Sequence, residues 1–302
     1  MDRKSDIDKP IRGFQQILPA RNGRDPAPCG LCGQTVRLTK THVPPQCAGN
    51  THKVGRSALV VHTPEQDRIP KMVHGRPRDG GLYVFGLCPG CNGLQSTYDG
   101  AYGDLVRSLK SLWVQDWGMR LKWRCPMPSA EFRPGSVARS ILIGMMGINP
   151  TIRDAHPVLA KALIDKSPVV GLPEDVRLRV ALARGLTARI AGPNGGSFGF
   201  GNLGVDRPLP LTSLAHVYFP PLAWQLSSRD SSLLDRERWA DVSDWLAYDP
   251  AETADLATLC PPLPPVAYPS HVPWGPTTWV QLWFQAAEVV EVKELPKDLL
   301  KF

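Results

Sequence analysis

The 302 residues are 42% hydrophobic with nine tryptophans, enough apolar surface for one large domain or two modest ones, and this excludes a disordered tail. No apolar run reaches membrane-spanning length, and the charged opening Met-Asp-Arg-Lys-Ser-Asp has no apolar stretch behind it, so the expectation is a cytoplasmic protein with no membrane partner. The net charge of +7 is concentrated, with 16 Lys or Arg against 9 Asp or Glu in residues 1–110 and 19 of each in residues 111–302. A basic N-terminal third suits a polyanionic partner, because Lys and Arg neutralise phosphate charge.

In chain order, residues 1–24 are polar and charged and read as an N-terminal arm. Cys29-Gly-Leu-Cys32 follows, a hook offering two thiolates to one metal, with Gly30 and Gly33 permitting the tight turn. Residues 35–39 alternate Val36 and Leu38 with polar neighbours, the pattern of a half-buried strand. His42 stands at its end, and Pro44-Pro45 stops the strand. Residues 46–81 read as a basic insertion, a surface loop suited to lie along a phosphate backbone. It carries His52, His62 and His74, expected to face solvent, together with Lys53, Arg56, Arg68, Lys71, Arg76 and Arg78. Residues 82–85 form a second strand that delivers a second hook, Cys88-Pro-Gly-Cys91. Two such hooks make a closed four-cysteine zinc site. A helix is expected from Asn92, where Leu94, Tyr98, Ala101, Tyr102, Leu105 and Leu109 recur at helical spacing. Asn92, Ser96, Asp99 and Gly103 fall on a separate face of that helix.

Beyond residue 115 the pattern predicts an α+β domain covering 116–302. An apolar helix runs through Val137, Ile141, Met145 and Ile148 to Pro150, and a second short helix covers 154–164. Strands are expected near 178–182, 187–190 and 214–219, and a short helix over 236–245. The glycine-rich stretch 192–204 lacks the Gly-Lys-Ser/Thr ending of a phosphate loop and reads as a turn. Residues 260–276 read as a Pro-rich extended connector, and 279–292 as a strand or a buried helix. The three cysteines outside the hooks, Cys47, Cys125 and Cys260, are expected as buried free thiols.

The order hook, strand, Thr41-His42-Val43-Pro44, loop, strand, hook-Asn92 and helix resembles the zinc-stapled four-cysteine branch of the HNH (ββα-metal, His-Me finger) endonucleases. The resemblance covers roughly residues 25–112. It implies a small zinc-stapled ββα finger over 25–115 and metal-dependent hydrolysis of DNA phosphodiester bonds, with RNA left open as a substrate. His42 would be the general base, and Asn92 would help hold a catalytic Mg²⁺ or Mn²⁺. Asn50 would stand in for the family's central asparagine, which braces the loop after the base. The family places an acidic residue or histidine before its base, where this chain has Thr41, a poor Mg²⁺ ligand. Asp99 is then the nearest candidate for the missing carboxylate. Lys40, Arg107 and the basic residues of the insertion would contact phosphate. The alternative is a non-catalytic zinc-stapled module that binds nucleic acid or a protein partner, the second through the C-terminal domain.

Overall fold

The structure, a computed structural model, describes residues 23–51, 55–60, 71–74, 79–113, 124–184, 188–191, 197–198, 215–229, 239–266, 280–281 and 289–292. It is an α+β protein. Strands β1 (Pro26–Pro28) and β2 (Thr35–Arg37) pair around the first hook. Strand β3 (Thr39–His42) carries the histidine.

Where a surface loop is expected, β4 (Gly55–Val60) and β5 (Lys71–His74) pair with each other at one edge of a large sheet. A sequence rich in glycine, proline and charge hid these strands. Strand β6 (Tyr83–Leu87) returns antiparallel to β3, and α1 (Pro89–Ser108) follows at once. The helix begins three residues before the expected Asn92, because Cys88 accepts the N-cap bond and Pro89 occupies the first turn.

After α2 (Lys110–Trp113) and β7 (Glu131–Phe132) comes α3 (Pro134–Ile148), buried along its whole length from Pro134 to Gly147. A helix buried on every side needs partners on every side, for its polar residues as well as its apolar ones. One flank of α3 lies against α1 and β6, another against strands of the large sheet. Buried Arg139 anchors it, donating to the carbonyls of Gly135, Tyr248, Ser167 and Pro168 at 2.8–3.0 Å. The expected second helix is divided into α4 (Thr151–Ala155) and α5 (Pro157–Ile164). The break falls at His156, where Pro157 disfavours a helical residue before it.

The sheet contains β8 (Val176–Ala183), β9 (Ala188–Ala191), β11 (Ala215–Phe219), β12 (Leu222–Ser228) and β13 (Ala240–Asp241), with β10 (Ser197–Phe198) outside it. A 3₁₀ turn at Ser243–Ala247, β14 (Ala254–Asp255), α6 (Leu256–Leu259), β15 (Pro265–Val266), β16 (Val280–Gln281) and β17 (Val289–Val292) complete the described elements. The order is β13-β8-β12-β11-β9-β17-β4-β5, with β15 added parallel to β8.

Two further differences from the sequence reading have local causes. Where the expected helix over 236–245 is described, Ala240 and Asp241 instead extend the sheet along β8, and the Asp241 carboxylate accepts from the Ser243 N–H at 3.0 Å as the 3₁₀ turn begins. The Pro-rich connector contributes β15, and residues 267–276 lie outside the described residues. The glycine-rich stretch is described only at β10, which pairs with β16, and the last stretch is strand where it is described. Residues 1–22 also lie outside.

Among the described residues, the larger of two hydrophobic clusters joins residues from Cys29 to Leu263, so it crosses the boundary expected at residue 115. The junction with α3 is drawn tight by glycines. A Cβ built on Gly30 would lie 2.1 Å from the Met146 carbonyl oxygen, and one on Gly86 would lie 2.3 Å from that of Gly147. Gly90 has open space instead. Gly30→Ala is therefore expected to cost about 3 kcal/mol, while Gly90→Ala is neutral or gains about 0.5 kcal/mol. Urea denaturation of both variants measures the difference, and equal midpoints would show that the junction is loose.

Candidate metal centre and the His42 site

The first hook is held by its own turn. The Cys29 N–H donates to the Gln34 carbonyl at 2.9 Å, the Gly33 N–H returns to the Cys29 carbonyl at 3.0 Å, and Gly33 takes φ +77°. The Gly30 N–H donates to the Gly86 carbonyl at 2.8 Å, which ties this hook to the strand leading into the other. The second hook sits on the first turn of α1, whose N-terminal dipole favours thiolate.

The four sulfurs, on Cys29, Cys32, Cys88 and Cys91, lie within 4.8 Å of one another, and all four cysteines are free. Cys32 and Cys88 sulfurs are 3.8 Å apart, the edge of a tetrahedron whose Zn–S distance is about 2.3 Å. Backbone N–H groups of Cys88 and Cys91 point at the sulfurs of Cys29 and Cys88, at 3.3 and 3.4 Å. The crowded thiols divide in behaviour. A hydrogen bond from Cys91 holds Cys29 down to about 4, the same bond pushes Cys91 up, and burial pushes Cys32 up. A divalent cation removes that conflict, because each sulfur then binds as thiolate. The cluster fits a structural zinc.

The His42 site lies on the β3–β6 pair, where His42 faces Tyr83 and Lys40 faces Phe85. His42 Nε2 is 2.8 Å from the Gly80 carbonyl oxygen. A carbonyl can only accept, so Nε2 is the protonated nitrogen and Nδ1 carries the lone pair. Burial lowers the pKa of this half-buried ring, the Gly80 bond offsets part of that, and the Lys40 charge lowers it further. Buried Asn50 braces the loop after the histidine. Its amide donates to the carbonyls of Pro44 and Leu82 at 2.6 and 2.8 Å, and its oxygen accepts from the Leu82 N–H at 2.5 Å. Asn92 Nδ2 donates to the Lys40 carbonyl at 3.3 Å, and Gln95 Nε2 to that of His42 at 3.4 Å. The first two turns of α1 are thus fastened to the strand that carries the histidine.

Other expected residues lie elsewhere. Thr41 has no exposed surface, and its hydroxyl accepts from the Leu87 N–H at 3.2 Å, so it faces the core and is no metal ligand. Strand alternation, which puts Lys40 and His42 on one face, puts Thr41 on the other. Asp99 accepts from Ser140 of α3 at 2.7 Å and is committed there. Exposed Arg107 pairs with Asp104. Arg56 and Lys71 fall on β4 and β5, while Lys53, His52, His62, Arg68, Arg76 and Arg78 lie outside the described residues. Among the described residues, the cysteine cluster is the one group of three or more His, Cys, Asp or Glu able to share an ion. No group of three or more such side chains gathers beside His42, among the described residues, for the Mg²⁺ or Mn²⁺ that the resemblance implies. Cys47 is exposed, contrary to expectation, and Cys125 is half-buried. Cys260 is buried, which pushes its thiol up to about 12.

Gly80, Tyr83 and Gln95 were not singled out from the sequence. The one available signal was Gln95, a polar residue one step from the apolar stripe of α1. Comparison with protein-family models, with curated proteins and with solved structures gives no match.

Two outcomes are expected. Purified protein carries one zinc per chain by native mass spectrometry, and Cys91→Ser lowers the affinity at least about tenfold; a metal-free, fully folded wild type would refute the assignment. Burial lifts the Asp99 carboxyl to about 6. Between pH 4 and 6 the unfolded chain has already lost the proton that the folded protein keeps, so stability falls as pH rises through that window. Asp99→Asn should gain about 1–2 kcal/mol at pH 7.5 and nothing at pH 4, read from denaturation midpoints at both pH values.

Proposed function

We propose that the chain is an HNH-like endonuclease that hydrolyses DNA phosphodiester bonds, with His42 as the general base and the four-cysteine zinc as its staple. One observation carries the reading: the bond from His42 Nε2 to the Gly80 carbonyl leaves Nδ1 as the basic nitrogen. The lowered pKa keeps that nitrogen unprotonated at neutral pH. His42 Nδ1 would take a proton from the water that attacks phosphorus. Asn50 holds the loop behind the base, and Asn92 and Gln95 hold the strand beneath it. The zinc is architectural, because four thiolates leave no coordination position for water. The positive excess of residues 1–110 supports a nucleic-acid substrate.

The inward-facing Thr41 favours a second reading, a zinc-stapled binding module that keeps the finger as a scaffold. A plasmid-nicking assay separates the two. His42→Ala should lower nicking by roughly 10²–10⁴-fold while retaining its zinc. The wild-type rate should climb with pH through a midpoint below 6.5 and level off by about pH 7. Binding without cutting, on duplex DNA, single strands and RNA alike, would establish the module instead.

A further inference from the structure

Among the described residues, no cluster of metal-ligating side chains stands beside His42, but a cation does. Lys40 precedes His42 by two residues on β3, so both side chains leave the same face of the strand, with about 6.6 Å of rise between them. The Lys40 ammonium stands 4.8 Å from the Tyr83 ring centroid, and the His42 ring centroid is 5.7 Å from the same ring. One buried aromatic thus flanks both groups. The backbone at Lys40 is held by Asn92, and that at His42 by Gln95. The lysine remains exposed, and its charge reaches the imidazole, whose protonated form it disfavours. A base and an ammonium on one strand face, flanking one ring, are placed to act on the two ends of a phosphodiester, the attacking water and the departing oxygen.

Resting on the nuclease reading above, we propose that Lys40, in place of a divalent ion, neutralises the charge that builds on the phosphodiester during cutting. The water oxygen bonds to phosphorus as its proton passes to His42 Nδ1. The bond from phosphorus to the leaving oxygen breaks, and that oxygen takes a proton from the Lys40 ammonium. Lys40 recovers a proton from solvent, and His42 releases one to it. One water is consumed, and no oxidant or metal enters. A compact ammonium over the Tyr83 ring, on a strand whose backbone is held at Lys40 and at His42, is the kind of group that stabilises a developing oxyanion.

The test uses the full-length, zinc-loaded protein in buffer cleared of other divalent ions over a chelating resin, with the zinc confirmed by native mass spectrometry. Nicking should proceed within about twofold of the same rate with and without added Mg²⁺. Lys40→Ala should lower kcat by roughly 10²-fold or more and change KM by less than about tenfold. Lys40→Arg should recover part of the kcat, and Lys161→Ala, which removes an exposed lysine of α5, should cut at the wild-type rate. A lysine that only contacts substrate would move KM and the salt dependence and spare kcat, and that result would overturn the proposal. So would cutting that needs Mg²⁺, above all if Asp79→Asn, beside the Gly80 turn, abolishes it. Either result would leave the nuclease reading intact. Absence of cutting by zinc-loaded wild type under every condition would remove both.

Discussion

The backbone of α3 lies directly against the backbone around the cysteine hooks, and the arrangement of the molecule depends on that contact. Gly30 and Gly86 are the positions of closest approach, over the carbonyls of Met146 and Gly147. The cysteines alone would fix two short loops. Packed onto α3, those loops inherit a support that also carries α1, β6, β11 and β12. Gln95 makes the connection in hydrogen bonds, since its amide reaches the carbonyls of both His42 and Ser140 at 3.4 Å. The strand that carries the histidine is therefore positioned by the core and not by the cysteine turn alone.

Burial acts differently on each ionisable group in this region. Desolvation keeps the His42 imidazole neutral and keeps Asp99 protonated to higher pH than an exposed carboxyl. The carboxyl is turned toward α3 and the imidazole toward Gly80. Thr41 shows the same sorting on a strand, since the pleat sends it into the core between two outward residues. An acid at position 41 would meet the Leu87 N–H and apolar neighbours, and burying its charge there would be unfavourable.

Much of the N-terminal third was legible because its signals are local. Cysteine spacing picked out the four clustered thiols, and helical spacing picked the buried face of α1. The single strand expected over 35–39 is instead two, split at Leu38 because Thr35–Arg37 pairs with β1 and Thr39–His42 with β6. The ends of elements were legible where proline or a cap set them, and Cys88 misled because cysteine is an unusual cap. What the sequence did not reveal depends on distant partners. Strands β4 and β5 lie in a segment whose composition reads as loop, and they are strands because β17, more than 200 residues away, pairs with β4. The Gly80 carbonyl is a backbone group, and no residue-type pattern advertises which carbonyl a histidine will meet. Asn50 is buried, and its three hydrogen bonds to Pro44 and Leu82 account for that burial.

The shared core bears on how such a protein can change over evolutionary time. A finger whose apolar surfaces are satisfied by its own residues can be copied into new contexts as a cassette. Here the inner face of α1 and the backs of both hooks are covered by a helix that begins at residue 134, which in turn needs the sheet beyond it. Recombination that moved residues 25–115 alone would carry an open hydrophobic seam with them. This lineage is therefore expected to diversify by substitution on exposed strand positions and loops, with the two halves of the chain inherited as one piece.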